Sequence, residues 1–253
     1  PWLKLIAYST NKTMQSFHTS DINKIEVLDS QSDLIVYDVD KNEVTNIEND
    51  STEFECYPAW SPDGKWLYYV SAHFEFRDTI PHEAECIKRS KEIKYSIYRK
   101  SFNPETMQFG PREMVFDAAS LGKSATLPRI SPDGKYLLFS MGEWGCFHIW
   151  HRDADLYMLR LADNKVWPLT KTNSPQAESF HNFSSNGKWI IFSSRRNDGD
   201  YTRLFFAHVD ADGNTTKAFE LPQQDPDFHR MFMKSYNIPE FMRGPVTIKP
   251  HEF

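Results

Sequence analysis

The chain is poor in cysteine, in long apolar runs and in basic excess, and each shortage excludes something. Its 253 residues include 3 Cys, at 56, 86 and 146. That odd number, with no CxxC pair, indicates neither a disulfide framework nor a zinc ribbon. A single bridge stays open, with Cys56 and Cys86 as the candidate pair. No stretch approaches the 18 or so apolar residues of a membrane-spanning helix, and the longest runs, such as Leu67–Val70, have strand length. Lys and Arg total 29 against 35 Asp and Glu, a net charge of −6. That balance lacks the basic footprint a nucleic-acid binder needs to neutralise phosphates. Catalytic and cofactor signatures are missing too. There is no GxSxG elbow and no CxxCH, and Gly122-Lys123-Ser124 lacks the leading glycine of a P-loop because Asp117 stands there. No cofactor is implied. The chain opens on Pro1 without a signal peptide, so no targeting segment tells its location.

What is abundant is aromatic: 19 Phe, 11 Tyr and 7 Trp, residues that favour pleated, half-buried strands. Self-similarity then organises the chain. Three segments align without gaps: 57–69 (YPAWSPDGKWLYY), 127–139 (LPRISPDGKYLLF) and 180–192 (FHNFSSNGKWIIF). The turn chemistry is legible: Ser accepts a backbone donor, Pro presets φ, Asp or Asn follows, and Gly64, Gly134 and Gly187 take the left-handed position. Each unit therefore reads strand, tight turn, strand. A second match, 32–44 with 154–166, supplies another strand pair with an Asn-containing turn. Four antiparallel strands per 50 to 70 residues predict an all-β fold, a β-propeller of four-stranded blades. First strands are expected near Glu55, Ala125 and Ser179. Residues 4–9 match the second strand at 135–140, so the first blade reads as truncated and the chain as the C-terminal part of a larger propeller. The expected divisions are 1–49, 50–118, 119–172 and 173–222. A tail at 223–253 follows, whose short helix would be capped by Asp225 with Pro226 in its first position.

These repeats resemble those of TolB-like β-propeller proteins, whose mark is a Pro-containing first strand, Ser-Pro-Asp-Gly-Lys, and an apolar strand ending in Phe-Ser. Ser61–Lys65 and Ser131–Lys135 match fully, and Ser184–Lys188 departs by losing Pro and Asp. The resemblance covers about 220 of the 253 residues. It implies a non-catalytic scaffold of the bacterial periplasm or outer membrane that engages a protein or glycan partner. The last blade and the tail at 225–241 resemble a lipoprotein-like group of Gram-negative envelope proteins, which implies export. The same repeats occur in oligogalacturonate lyases and in the propellers of prolyl-oligopeptidase-type peptidases, so a metal-dependent lyase or a peptidase's accessory domain is the alternative.

Topology predicts which face works. The tight turns share one end of the blades, so the connections from second to third strand share the other, and these are long: about 10–31, 72–92, 141–153 and 195–201. Long connections carry function more often than tight ones. They hold His18, His73, His82, His148 and His151 with Phe74, Phe76, Trp144, Phe147 and Trp150. The candidate binding residues are thus His18, His73, Arg77, Trp144, Phe147, His148, Trp150, His151, His181, Arg195 and Arg196. Trp144, Phe147, Trp150 and Arg77 are expected to be more exposed than Trp66 and Trp189, or to border a deeper pocket. Rim histidines would make binding vary between about pH 5 and 8. For a metal, Cys146, His148 and His151 form the most ligand-like cluster, although a structural aromatic loop accounts for the same residues. His181 sits where propeller lyases place channel ligands, but its counterparts are Pro58 and Pro128. Asp210–Asn214 resembles a calcium loop yet has Leu221 where the bidentate Glu belongs, so it reads as a hairpin turn. Arg195 and Arg196, with Asp198 and Asp200, could read anionic groups or form a solvated loop.

Overall fold

A computed structural model of the chain describes residues 4–17, 25–245 and 247. The first sheet contains β1 (Leu5–Phe17), β2 (Ile25–Asp38) and β3 (Glu43–Glu48) in the order β1-β2-β3. Three four-stranded sheets follow. The second runs β4 (Glu53–Trp60), β5 (Trp66–His73), β6 (Ser96–Asn103) and β7 (Gln108–Phe116), with helix α1 (His82–Lys88) between β5 and β6. The third holds β8 (Ser124–Ile130), β9 (Tyr136–Gly142), β10 (Asp155–Arg160) and β11 (Lys165–Pro168). The fourth holds β12 (Glu178–Phe183), β13 (Trp189–Ser194), β14 (Arg203–His208) and β15 (Phe219–Glu220), and α2 (Phe228–Met231) lies in the tail. Every strand pairs antiparallel with its neighbour in sequence, which is the meander of a propeller blade. The chain is all-β, with four successive blades.

The three tight turns are one structure built three times. In the first, the Ser61 hydroxyl donates to Asp63 Oδ1 at 2.6 Å, accepts the Trp66 N–H, and the Asp63 carboxylate accepts the Lys65 N–H. Ser131 and Asp133 repeat these bonds, and so do Ser184 and Asn186, because an Asn Oδ1 accepts as an Asp oxygen does. Gly64, Gly134 and Gly187 close the turns at φ 69°, 72° and 68°. Each first strand also carries a bulge at one repeat position. Tyr57, Leu127 and Phe180 stand at φ 54°, 55° and 52°, and the pairing slips there, from Cys56 with Val70 to Ala59 with Tyr68 in the second blade. Non-glycine residues held in this region signal a backbone constrained by its surroundings.

Blades stack through three apolar layers. Leu5, Leu34 and Val36 meet Leu67, Tyr69 and Phe102 between blades one and two. Phe54, Tyr68 and Val70 meet Leu137 and Phe139 between blades two and three. Tyr136 and Leu138 meet Ile190, Phe192 and Phe205 between blades three and four. All seven residues of β9 are buried, because alternate side chains enter the layers on either side. Continuous apolar strands are the sequence mark of that double burial.

Two expectations need correction. The long connection expected over 10–31 is in large part strand: residues 10–17 belong to β1 and 25–31 to β2, which pair from Leu5 with Asp38 to Phe17 with Ile25. A register shift between Asn11 and Thr13 marks a bulge there, and the alternating pattern of β1 continues past it. The tail helix also starts later than read. Asp225 spends its carboxylate on the Asp227 N–H at 2.9 Å, forming a turn, so Asp227 flanks α2 and Pro226 precedes it.

Gly134 has no atom within 4 Å of where a Cβ would stand, so a substitution there reads the backbone alone. Gly134→Ala should cost about 1 kcal/mol in chemical denaturation, the left-handed penalty of an L residue, and Gly134→Asn distinctly less.

Candidate binding face

The connections from second to third strand share one end of the blades, and the β1–β2 hairpin lies over them. At its bulge the hairpin meets α1 of blade two, where Lys12 pairs with Glu83, and beyond the bulge it reaches the β9–β10 connection of blade three. There Glu26 Oε1 lies 2.9 Å from His151 Nε2, and both side chains are buried. Glu26 Oε2, His151 Nδ1 and His148 Nε2 are buried without a hydrogen-bond partner. His148 Nδ1 lies 3.2 Å from both Thr126 Oγ1 and Ser140 Oγ.

This cover decides the fate of the sequence candidates. Trp144 is only 8% exposed, with its ring 4.6 Å from that of His151, whereas Trp189 is 36% exposed. The expected contrast between loop and strand tryptophans is therefore reversed at these two positions. Trp66 and Trp189 differ in setting as well: Arg99 lies 3.9 Å over the Trp66 ring, while Trp189 packs edge-on against His208 and Phe219. His148, His151 and His181 are interior groups. Cys146 groups with Cys56 and Asp29, their donor atoms all within 4.8 Å of one another, and not with the two histidines. His181 Nε2 lies 2.7 Å from the Leu127 carbonyl oxygen of the adjoining blade, a structural link. Phe147 is half-buried against Tyr57, and Trp150 is covered by the Arg195 guanidinium at 4.1 Å. Arg196 reads no outside anion: it donates to Glu178 at 3.0 Å and to the Thr172 carbonyl at 2.8 Å. Only His73 and Arg77 of the described candidates are exposed, and His18 lies outside the described residues. Asp210–Asn214 is a turn in which the Asp210 carboxylate accepts the Asp212 and Asn214 N–H groups. Cys56, Cys86 and Cys146 are free and buried, so the candidate Cys56–Cys86 bridge does not form.

One of the clefts open on this face, of about 600 Å³, lies between blades one and two. Asp33, Asp50, Glu53, Glu75 and Asp78 line it, with no Lys or Arg among its described lining residues. Phe74 and Phe76 form an aromatic wall, and Phe76 stacks on His82 at 3.7 Å. At its edge His73 Nδ1 stands 3.2 Å from Glu53 Oε1 and Nε2 3.5 Å from Glu75 Oε1. Exposed Glu75 and Asp78 form the rim.

Several polar residues of consequence escaped the sequence reading. Glu55 is fully buried, with neither oxygen partnered. Burial, then the nearby Glu48 and Glu53 carboxylates, push its pKa up to about 8. The repeat could have flagged it, since Glu55 and Glu178 occupy one register position; Glu178 finds Arg196, Ser174 and Ser194. Arg203 is buried too. Its guanidinium donates to the carbonyls of Lys234 (2.7 Å), Phe232 (2.8 Å) and His229 (3.1 Å), fastening the tail to blade four.

Two outcomes follow from these burials. Desolvation, aided by His151 for His148 and by Arg129 for His181, lowers both pKa values to about 3. NMR ring shifts of His148 and His181 should stay flat from pH 5 to 8. Their stabilising contribution is complete above about 6.5, where an unfolded His is neutral, and is lost as pH falls toward 3. Glu55 has the opposite sign, because its folded pKa lies above its unfolded value. Its contribution is full below about 4.5 and is lost as pH rises to about 8. The stability advantage of Glu55→Gln over wild type in urea titrations should therefore grow between those values and level off beyond.

No known family's sequence pattern matches the chain, and no curated protein matches it. Among solved structures it is similar to TolB from Acinetobacter baumannii, with 20% identity over 85% of this chain and 41% of that one, at a TM-score of 0.49. An oligogalacturonate lyase from Vibrio parahaemolyticus shares 17% identity over 71% of this chain and 42% of its own, at a TM-score of 0.42. An auxiliary nutrient binding protein from Bacteroides thetaiotaomicron shares 11% over 81% and 40%, at 0.45. The chain thus spans less than half the length of each of these proteins.

Proposed function

We propose that this protein is a non-catalytic propeller of the bacterial periplasm or outer membrane that binds a protein partner through the acidic cleft between blades one and two. The observation that carries this reading is the cleft itself: five carboxylates, of which Glu53 pairs with Arg112 at 3.0 Å, no Lys or Arg among the described lining residues, and an aromatic wall. A partner segment bearing Lys or Arg fits that chemistry better than a neutral glycan. Like-signed charge on a rim raises the encounter rate of an oppositely charged partner, in a salt-dependent way. The setting in the cell envelope rests on the TolB-like repeats. No helix among the described residues is long and apolar enough to cross a membrane.

The lyase reading needs ligands at matching positions of several blades. Here those positions are Pro58, Pro128 and His181, and the histidine is engaged by the Leu127 carbonyl. That geometry favours binding over metal-assisted elimination in the channel.

Glu75 and Asp78 are each 77% exposed and make only surface ion pairs, which contribute little to stability. Glu75→Lys/Asp78→Lys should therefore fold as wild type does. In pull-downs from envelope extract of the source organism, the double variant should lose the partner that wild type retains. Raised salt should weaken recovery, and Glu105→Lys in the β6–β7 turn at the opposite end should leave it unchanged. Equal recovery by the double variant and wild type would refute the acidic cleft as the docking site.

A further inference from the structure

Asp29, Cys56 and Cys146 come from three different blades and meet in the interior. Asp29 lies on β2, in the hairpin of blade one; Cys56 lies on the first strand of blade two; Cys146 lies in the β9–β10 connection of blade three. One donor atom from each lies within 4.8 Å of the others, and all three residues are buried. Cys146 Sγ is 4.0 Å from Asp29 Oδ2. A tetrahedral zinc ion, with Zn–S near 2.3 Å and Zn–O near 2.0 Å, spaces its donors at roughly 3.5 to 3.8 Å. Contraction by about an ångström or less would bring this set into range.

The surroundings suit such a site. Asp29 Oδ1 accepts from Thr13 Oγ1 and Oδ2 accepts from Asn11 Nδ2, both at 2.7 Å. These bonds orient the carboxylate and leave it further lone pairs, as outer partners of a ligating carboxylate do. The buried Tyr57 hydroxyl, without a partner of hydrogen-bond geometry, stands one residue from Cys56 on the same strand. Two thiolates with one carboxylate suit zinc, whereas calcium and magnesium require oxygen alone.

We propose that Asp29, Cys56 and Cys146 form a structural Zn²⁺ site that ties the blade-one hairpin to blades two and three. Binding converts both thiols to thiolates and releases two protons to solvent. Nothing is oxidised. The ion would sit near the Glu26–His151 contact and hold the same cover over the loop face.

The test uses the whole 253-residue chain, fully reduced and stripped of metal. Titration with Co²⁺ should give thiolate-to-cobalt charge-transfer absorption and tetrahedral d–d bands saturating at one equivalent, lost on adding Zn²⁺. Zn²⁺ should raise the melting temperature. Cys56→Ser and Cys146→Ser should abolish the charge-transfer band, and Cys86→Ser should leave it intact. Asp29→Asn retains a hydrogen-bonding oxygen, so it keeps the fold and should weaken Co²⁺ binding by about tenfold or more. That arm decides the matter if a serine variant does not fold. Absence of the band in reduced wild type, its persistence without Cys56 or Cys146, or unchanged affinity in Asp29→Asn would overturn the proposal. So would thiol counting on protein purified without reductant and then unfolded, if only Cys86 reacts, since Cys56 and Cys146 would then be paired with each other.

Discussion

A twisted antiparallel sheet has two faces, and in the inner blades both carry apolar side chains that water would leave unfavourably exposed. Blades two and three are accordingly covered on both sides by their neighbours, and blades one and four on one side each. Three layers of interlocked side chains result, one between each successive pair of blades. Leu137 and Phe139 enter one layer while Tyr136 and Leu138 enter the next. A slip of one residue in strand pairing would exchange those sets. The Ser-x-Asp/Asn-Gly turns oppose such a slip, because each sets the offset between first and second strands with the same hydrogen bonds.

The repeated backbone is also where polar exceptions gather. First strands run through the interior, so a polar side chain on one of them must find a partner or pay for desolvation. Glu178 finds Arg196 and two serines. Glu55, at the same register position, finds none and is protonated near neutrality instead. His181 replaces the proline of the other two bulges and reaches the carbonyl of Leu127, itself a bulge residue of the adjoining blade. One backbone geometry thus accepts three side-chain solutions.

The loop face has a different logic. In blade one the excess length of chain becomes a β-hairpin, and that hairpin brings Glu26 and Asp29 to groups more than a hundred residues away. Aromatic and histidine side chains of the 144–151 segment are consequently interior. The face keeps an opening between blades one and two, where carboxylates collect.

The blades, their tight turns, the left-handed glycines and the apolar second strands were legible in the residues. All of these rest on local chemistry: turn hydrogen bonds within five residues, and an apolar run that requires burial on both faces. The candidate site was legible only in its general location. Composition could gather Trp144, His148 and His151 into one loop, but could not show that a hairpin from blade one would cover them. Cys146 was read beside His148 and His151 because they are neighbours in sequence, whereas the fold sets it beside Cys56 and Asp29. Burial, ion pairing and ligand geometry depend on contacts across blades, which no local pattern encodes; only the tertiary packing decided them.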